Sequence, residues 1–277
     1  MNAVNPMNST DSNEILNLGL NDGTYMPQAC VDLLKSFDSR TSLRNYTTAD
    51  NDPLREALAA KDGVSPDQVF LRSGSGHILK QVVPWLIKKE IKSSTARILR
   101  HLVAKNGFPI ITPRLTYSKV PAKAAGLGLT VHLMPLTPES GFKLNPNHIE
   151  DCLKKQDGLV YIVNPNNPTG TVLITRDELE PLLARYPRSR FWIDEAYVQY
   201  CDPEQHEPLS DLVSKYDNML CSRTFSFAYG LAGLRMGYLL APEAAVAELN
   251  AQLVDYRFGT LKEQMAMAAI ADTEHLD

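Results

Sequence analysis

Apolar and polar positions alternate along TVHLMPL, residues 130–136, in the period-two rhythm of a strand. Three further runs, GLVYIV, RFWI and NMLC, are almost wholly apolar, and each ends abruptly in polar or charged residues. They read as strands buried on both faces. A shorter strand is expected at Gln68–Leu71. The segments between them carry helix signals. LREALAAKDG (54–63) predicts a helix with Pro53 near its first turn and Gly63 at its end. HILKQVVPWLIKKE (77–90) predicts another, which Pro84 bends or restarts. HIEDCLKKQ reads as a helix, and so does TRDELEPLLARY, where Thr175 and Glu178 have the spacing of a capping box. ARILRHLV fits a helix segment or a strand edge. Beyond Gly237, YLLAPEAAVAELNAQLVDYRF predicts a strand end and a long helix, and TLKEQMAMAAIAD a last helix. Strands alternating with helices predict an α/β fold: three layers, with a mostly parallel (mixed) sheet covered by helices on both faces. Polar residues gather at the carboxyl ends of the strands, where such sheets bind ligands.

Composition narrows the field. A chain of 277 residues, 44% hydrophobic, can bury one sizeable core and leave room for a small second lobe. Its formal charge of -4 and the lack of a long basic block predict no nucleic-acid partner. No segment approaches the roughly 20 apolar residues of a membrane span. The start, MNAVNPMNSTDSNE, lacks the basic and then apolar pattern of a signal peptide. Cys30, Cys152, Cys201 and Cys221 form no CxxC pair, so reduced thiols in a cytoplasmic protein are expected. No metal site is expected.

Several short motifs carry chemistry. Ser73-Gly74-Ser75-Gly76 lies between an expected strand and an expected helix. A glycine turn opening a helix presents free N–H groups to an anion. Asp194 ends RFWID; by itself it could equally cap a helix or pair with a cation. NPNNPTG has the composition of a turn. Tyr197 alone is a packed aromatic at a strand end. From Arg223 the chain reads RTFSFAYGLAGLRMGY.

Taken together, RTFSFAYGLAGLRMGY, NPNNPTG, FWIDEAY and RNYTTADNDPLREAL resemble fold-type I pyridoxal-phosphate (PLP) dependent aminotransferases, most closely the histidinol-phosphate aminotransferase group. The resemblance extends over most of the chain. It implies that Asp194 faces the pyridine nitrogen and keeps it protonated, which makes the ring an electron sink. It implies that Asn167 and Tyr197 reach the ring's 3-oxygen. Arg235, Thr224, Ser226, Gly74, Ser75 and Gly76 would hold the phosphate, and Tyr46 would reach it across a dimer interface. Where the family carries its Schiff-base lysine stands Phe227. A phenyl ring has no lone pair, so it neither forms a Schiff base nor returns a proton.

His77 and Tyr197 are then the candidate catalytic residues. His77 stands with Gly76 where the family has an acidic pair, although a helix-start histidine without a catalytic task is the plainer reading. Lys80 and Lys119 are other nearby bases by sequence context. The family's ring-stacking aromatic has no clear match: Leu115 falls near its position, with Tyr117 slightly displaced. The implied domains are an N-terminal arm and lip (1–45), a large PLP-transferase-like domain (46–250) and a terminal helix (251–277), with the family's C-terminal small domain truncated or absent.

Three functions follow as alternatives. In the first, the protein binds PLP or its amine form PMP noncovalently, or an amino-acid-like ligand. It then transforms an amino acid or imine without a lysine, in a setting such as specialised metabolism. In the second, it is a noncatalytic pseudoenzyme: a ligand-binding subunit forming a homodimer, or a heterodimer with an active relative. In the third, the matched residues serve only the fold and no cofactor binds.

Overall fold

The computed structural model describes residues 21, 23, 25–38, 40, 43–44, 51–74, 76, 78, 81–86, 108–204, 206–251 and 258–276. Its centre is a seven-stranded sheet of order β1-β7-β6-β5-β4-β2-β3. The strands are β1 (Val69–Arg72), β2 (Ile110–Pro113), β3 (Val131–Met134), β4 (Leu159–Val163), β5 (Arg190–Asp194), β6 (Met219–Thr224) and β7 (Gly237–Leu240). Strand β7 is antiparallel to both its neighbours, β1 and β6. The pairings among β2 to β6 are parallel. The carboxyl ends of all strands except β7 therefore share one edge of the sheet. Register lines up the groups at that edge. Asp194 pairs with Val163 on one side and Ser222 on the other, and Gly237 pairs with both Thr224 and Arg72.

Strands β4 and β6 are buried at every position, β4 as an unbroken apolar run and β6 although it ends in Ser222, Arg223 and Thr224. Side-chain alternation sorts their residues onto two faces. Ile162, Phe191, Ile193 and Cys221 join one hydrophobic cluster, and Tyr161, Trp192 and Leu220 the other. The alternating strand β3 lies at the edge of the sheet, where two of its four residues are exposed.

The helices include α1 (Gln28–Ser36), α2 (Asp52–Asp62), α3 (Lys119–Gly126), α4 (Pro146–Leu153), α5 (Arg176–Arg185), α6 (Glu243–Ala251) and α7 (Thr260–Ala271). Helix α2 carries proline in its first turn and ends on Gly63 at φ 67°, whose N–H reaches Ala59 O. Glycine enters that left-handed conformation without a Cβ penalty. At the start of α5 the Thr175 N–H donates to Glu178 Oε2 at 2.9 Å, which is the capping pattern expected from sequence.

Some elements were not legible beforehand. Helix α1 falls within residues 1–45, the segment expected as an N-terminal arm and lip. It packs on α7, where the Cys30 thiol donates to Met265 O at 3.3 Å and the Ala29 N–H to Asp272 Oδ2 at 3.1 Å. Strand β2 was not expected: IITP is short, lacks alternation and ends in proline. Pro84 lies within helical residues 81–86. ARILRHLV lies outside the described residues. Among those described, no helix is long and apolar enough to cross a membrane, and no cluster of ligating side chains could hold a metal. The four cysteines are free thiols.

Candidate functional site

Asp194 closes β5 at the carboxyl edge of the sheet and is buried, with 4% of its surface exposed. Tyr161, from β4, donates its hydroxyl to Asp194 Oδ2 at 2.9 Å. The other oxygen, Oδ1, has no hydrogen-bond partner among the described residues. A buried, unpaired carboxylate oxygen is costly, and such groups in native proteins call for a ligand or a chemical role. Burial pushes the Asp194 carboxyl up from its ordinary 3.8 to about 6, while hydrogen bonds from Tyr161 and Ser222 pull the other way. Tyr161 is itself fully buried. It meets Trp192 edge to face, with centroids 5.6 Å apart, and Trp192 Nε1 donates to Ser222 Oγ at 2.9 Å. Strands β4, β5 and β6 thus fix the carboxylate from both sides.

The loop after β4 divides its asparagines between structure and site. Asn164 Oδ1 accepts the Leu173 N–H at 2.7 Å, and Asn164 Nδ2 donates to Ile174 O at 3.0 Å. Asn166 accepts from Thr116 Oγ1 at 2.7 Å and donates to Leu115 O at 2.8 Å, which ties the loop to the turn after β2. Asn167 instead turns to Tyr197, donating to its hydroxyl at 3.1 Å. Asn21 donates to the same hydroxyl at 3.2 Å. With two donors aimed at the oxygen, the phenolic proton is left to point elsewhere. Burial raises the Tyr197 pKa, opposed by these two amides. The Phe227 ring stacks on Tyr197, with centroids 4.6 Å apart and planes inclined by 16°. A cleft of about 370 Å³ opens beside this pair, between Asn167, Tyr197, Tyr200 and Asn21.

A second group of residues lies where β6 ends, β7 begins and β1 turns. Buried Thr224 Oγ1 donates to Ser226 Oγ at 2.9 Å and accepts the Ser226 N–H at 3.1 Å. Gly74 has φ 87°, and a Cβ built there would lie 2.9 Å from Arg235 Nη2. Only glycine suits both the backbone angle and the approach of the guanidinium. Arg235 is exposed and sits at φ 53°, a left-handed conformation that costs a non-glycine residue about 1 kcal/mol. The turn therefore stores strain where it aims a cation at a glycine loop.

The N-terminal segment crosses the same turn. A Cβ at Gly23 would lie 2.5 Å from Phe227 O, and one at Gly230, φ 60°, would lie 2.1 Å from Tyr25 O. Two glycines let the backbones touch, and this seats Asn21 over Tyr197.

The structure thus brings Asp194, Asn167, Tyr197 and Phe227 into one group and Gly74, Thr224, Ser226 and Arg235 into another along the same edge. Gly76 begins the helical residues that follow the glycine turn. Tyr46, Ser75, His77 and Lys80 lie outside the described residues. Lys119 is exposed at the start of α3, with its ammonium 5.4 Å from the Tyr117 ring centroid. Of the two candidates after β2, Leu115 is exposed, while half-buried Tyr117 packs in the same cluster as Tyr197.

Sequence reading missed Tyr161, although a phenol inside an apolar run signals a buried partner. It also missed an ion network on the opposite face. Arg223 donates to Glu195 Oε2 through Nε at 3.0 Å and Nη2 at 2.7 Å, to Ser210 Oγ at 3.0 Å, and to Asp62. Tyr238 donates to Asp62 Oδ2 at 2.8 Å, and the Leu209 N–H to Glu195 Oε1 at 2.6 Å. Burial would lower the Arg223 pKa, but the two carboxylates outweigh it and hold the guanidinium charged.

Comparison with known proteins places this edge in context. The profile of the family "Aminotransferase class I and II" matches residues 13–277. Histidinol-phosphate aminotransferase 2 of Haemophilus influenzae is 30% identical over 244 residues, covering 87% of this chain and 60% of that protein. The protein of the same name from Ralstonia nicotianae is 33% identical over 235 residues, covering 84% and 57%. The chain thus spans less than two thirds of the length of these two relatives. Among solved structures, histidinol-phosphate aminotransferase from Sinorhizobium meliloti, in complex with pyridoxal-5'-phosphate, superposes with a TM-score of 0.73 at 24% identity, covering 93% of this chain and 64% of that one. The Clostridium acetobutylicum enzyme gives a TM-score of 0.72 at 17% identity, covering 92% and 69%.

Proposed function

Because the chain belongs to the class I and II aminotransferase family, we propose that it binds PLP or PMP without covalent attachment and acts on an amino-acid-derived ligand. The observation that carries this reading is Oδ1 of buried Asp194, which has no partner among the described residues. A protonated pyridine supplies the N–H that this oxygen lacks, and the pairing offsets the cost of burying the carboxylate. The other residues fit the same group. Asn167 and the free proton of Tyr197 would hold the ring oxygen. Gly74, Thr224, Ser226 and Arg235 would hold the phosphate, through N–H groups, hydroxyls and a guanidinium. Such a cofactor, when bound, supplies an electron sink for charge developing on a neighbouring carbon.

Phe227 stands where the family resemblance implies the lysine. It offers no amine, and its ring lies stacked on Tyr197. Proton movement then falls to Tyr197 and, in this reading, to His77. Residues 46–250 form the large ligand-holding domain, flanked by the arm and lip at 1–45 and the terminal segment at 251–277. A homodimer, or a pair with an active relative, brings Tyr46 to the partner's phosphate.

The same Phe227–Tyr197 stack favours a second reading, in which the protein binds the cofactor but converts nothing, as a pseudoenzyme subunit. PLP titration followed by absorbance and dialysis, beside Arg235→Ala, tests the first claim. Saturable binding that dialyses away, leaves no borohydride-trapped adduct and weakens in the variant supports noncovalent binding. Absence of saturation, or a trapped adduct, overturns it. Addition of amino acids to the loaded protein then separates the readings: a change in cofactor absorbance marks an enzyme, and an unchanged spectrum marks a pseudoenzyme.

A further inference from the structure

We propose that Tyr161 is a positioning residue for this site: by occupying Asp194 Oδ2, it leaves Oδ1 as the open oxygen for a ligand that brings an N–H⁺. The ligand half of this statement rests on the cofactor reading above; the action of Tyr161 on Asp194 does not.

Geometry carries the inference. A carboxylate has about four lone-pair sites and can grip a donor through either oxygen or both. Here one oxygen is taken at 2.9 Å by a phenol that cannot move. Tyr161 has no exposed surface, its ring is braced by Trp192, and Trp192 is fixed in turn by Ser222. The register of β4 on β5 places Tyr161 opposite Trp192, so the sheet itself sets the approach. The remaining oxygen is buried and has no partner among the described residues. A two-pronged guanidinium cannot use that arrangement, whereas a single ring N–H can.

Tyr161 also acts on charge. The titratable groups that bear on Asp194 are Tyr161, Glu195 and Tyr197, with Tyr117 beyond them. The charge of Glu195 is matched on the other face by Arg223. Burial drives Asp194 toward its neutral acid, and the hydrogen bond from Tyr161 opposes burial. A neutral Asp194 would hold the ligand nitrogen without charge. The phenol is the foremost of the hydrogen bonds, with those of Ser222 and the Ala196 N–H, that oppose burial and favour the anion.

The test needs no ligand at first. Melting temperature is followed between about pH 5 and about pH 8 for two pairs of proteins. One pair is the unaltered protein and Asp194→Asn; the other is Tyr161→Phe and Tyr161→Phe/Asp194→Asn. The difference within each pair isolates the titration of Asp194. In the first pair the difference should change with pH up to a break near pH 6, the folded-state value, and level off above it; that break is the midpoint of the folded-state titration. A hydrogen bond to a charged group is strong enough that its loss should move the second midpoint upward by about one pH unit or more. Should Tyr161→Phe fold poorly, a ring-fluorinated tyrosine placed at 161 keeps the shape, sharpens the donor and should move the midpoint downward. Equal midpoints overturn the proposal, and so does a uniform loss of melting temperature without a shift, which would mark Tyr161 as merely structural. PLP is then titrated into each protein. If PLP fails to bind any of them while the midpoint still shifts, the cofactor reading falls and the action of Tyr161 on Asp194 stands.

Discussion

Asp194 and Glu195 are adjacent in the chain and leave the end of β5 toward opposite faces of the sheet, into environments of opposite character. Glu195 enters a closed network: Arg223, Cys221 and the Leu209 N–H occupy both its oxygens, and the same arginine also reaches Asp62. Asp194 enters a half-built one, with Tyr161 on one oxygen and nothing among the described residues on the other. Burial is equally deep in both places. The difference lies in the partners. Buried charge that is fully paired ties elements together, here α2, β5, β6 and the segment near Ser210. Buried charge left half paired is a cost that a ligand of the right chemistry would remove.

Removing the arginine should break this contrast with the largest effect. Arg223→Met leaves Asp62 and Glu195 buried without a counter-charge and should lower stability by about 3–5 kcal/mol, read by chemical denaturation. The equivalent change on the other face should have the opposite sign. The Asp194 carboxyl is raised in the folded protein, to about 6 from 3.8. Below its unfolded value both states are protonated, and Asp194 contributes no pH dependence. Between the two values the folded state holds a proton that the unfolded state has lost, so stability falls as pH rises through this window. Above about pH 6 the cost is fully present, about 3 kcal/mol on the usual conversion. Asp194→Asn should therefore stabilise the ligand-free protein at neutral pH and have little effect below about pH 4. A melting curve at each pH reads this directly.

Smaller effects sharpen the picture elsewhere along the same edge of the sheet. Gly74→Ala meets a left-handed backbone and the Arg235 guanidinium at once. It should cost about 1–3 kcal/mol and weaken phosphate binding in an inorganic phosphate titration. Asn167→Ala removes one of two donors to Tyr197. It should change stability by only about 1 kcal/mol, and its main effect should appear in the affinity for PLP.

The contrast also explains what could be read beforehand. The sheet and most helices were legible because their apolar runs and caps are local signals. Asp194, Asn167 and Arg235 stood out by their motifs, and the fold sets them along one edge of the sheet. Strand β2 was not, because IITP carries neither alternation nor length. The Arg223 network was hidden because its members, Asp62, Glu195, Arg223 and Tyr238, lie far apart in the chain, and only the fold brings them together. Tyr161 was hidden within an apolar run, where a phenol passes for one more hydrophobic residue. Helix α1 was missed because its partner, α7, lies at the other end of the sequence.

One measurement tests most directly the claim that Asp194 is held ready for a ligand. Melting temperatures of the unaltered protein and Asp194→Asn are compared at about pH 8, with and without saturating PLP. Without ligand the variant should melt higher, because the unpaired buried charge is gone. With PLP the order should reverse, because only the carboxylate pairs with the ligand's N–H⁺. If PLP shifts both proteins equally, or the variant is the less stable of the two without ligand, Asp194 is a structural residue and the account is wrong.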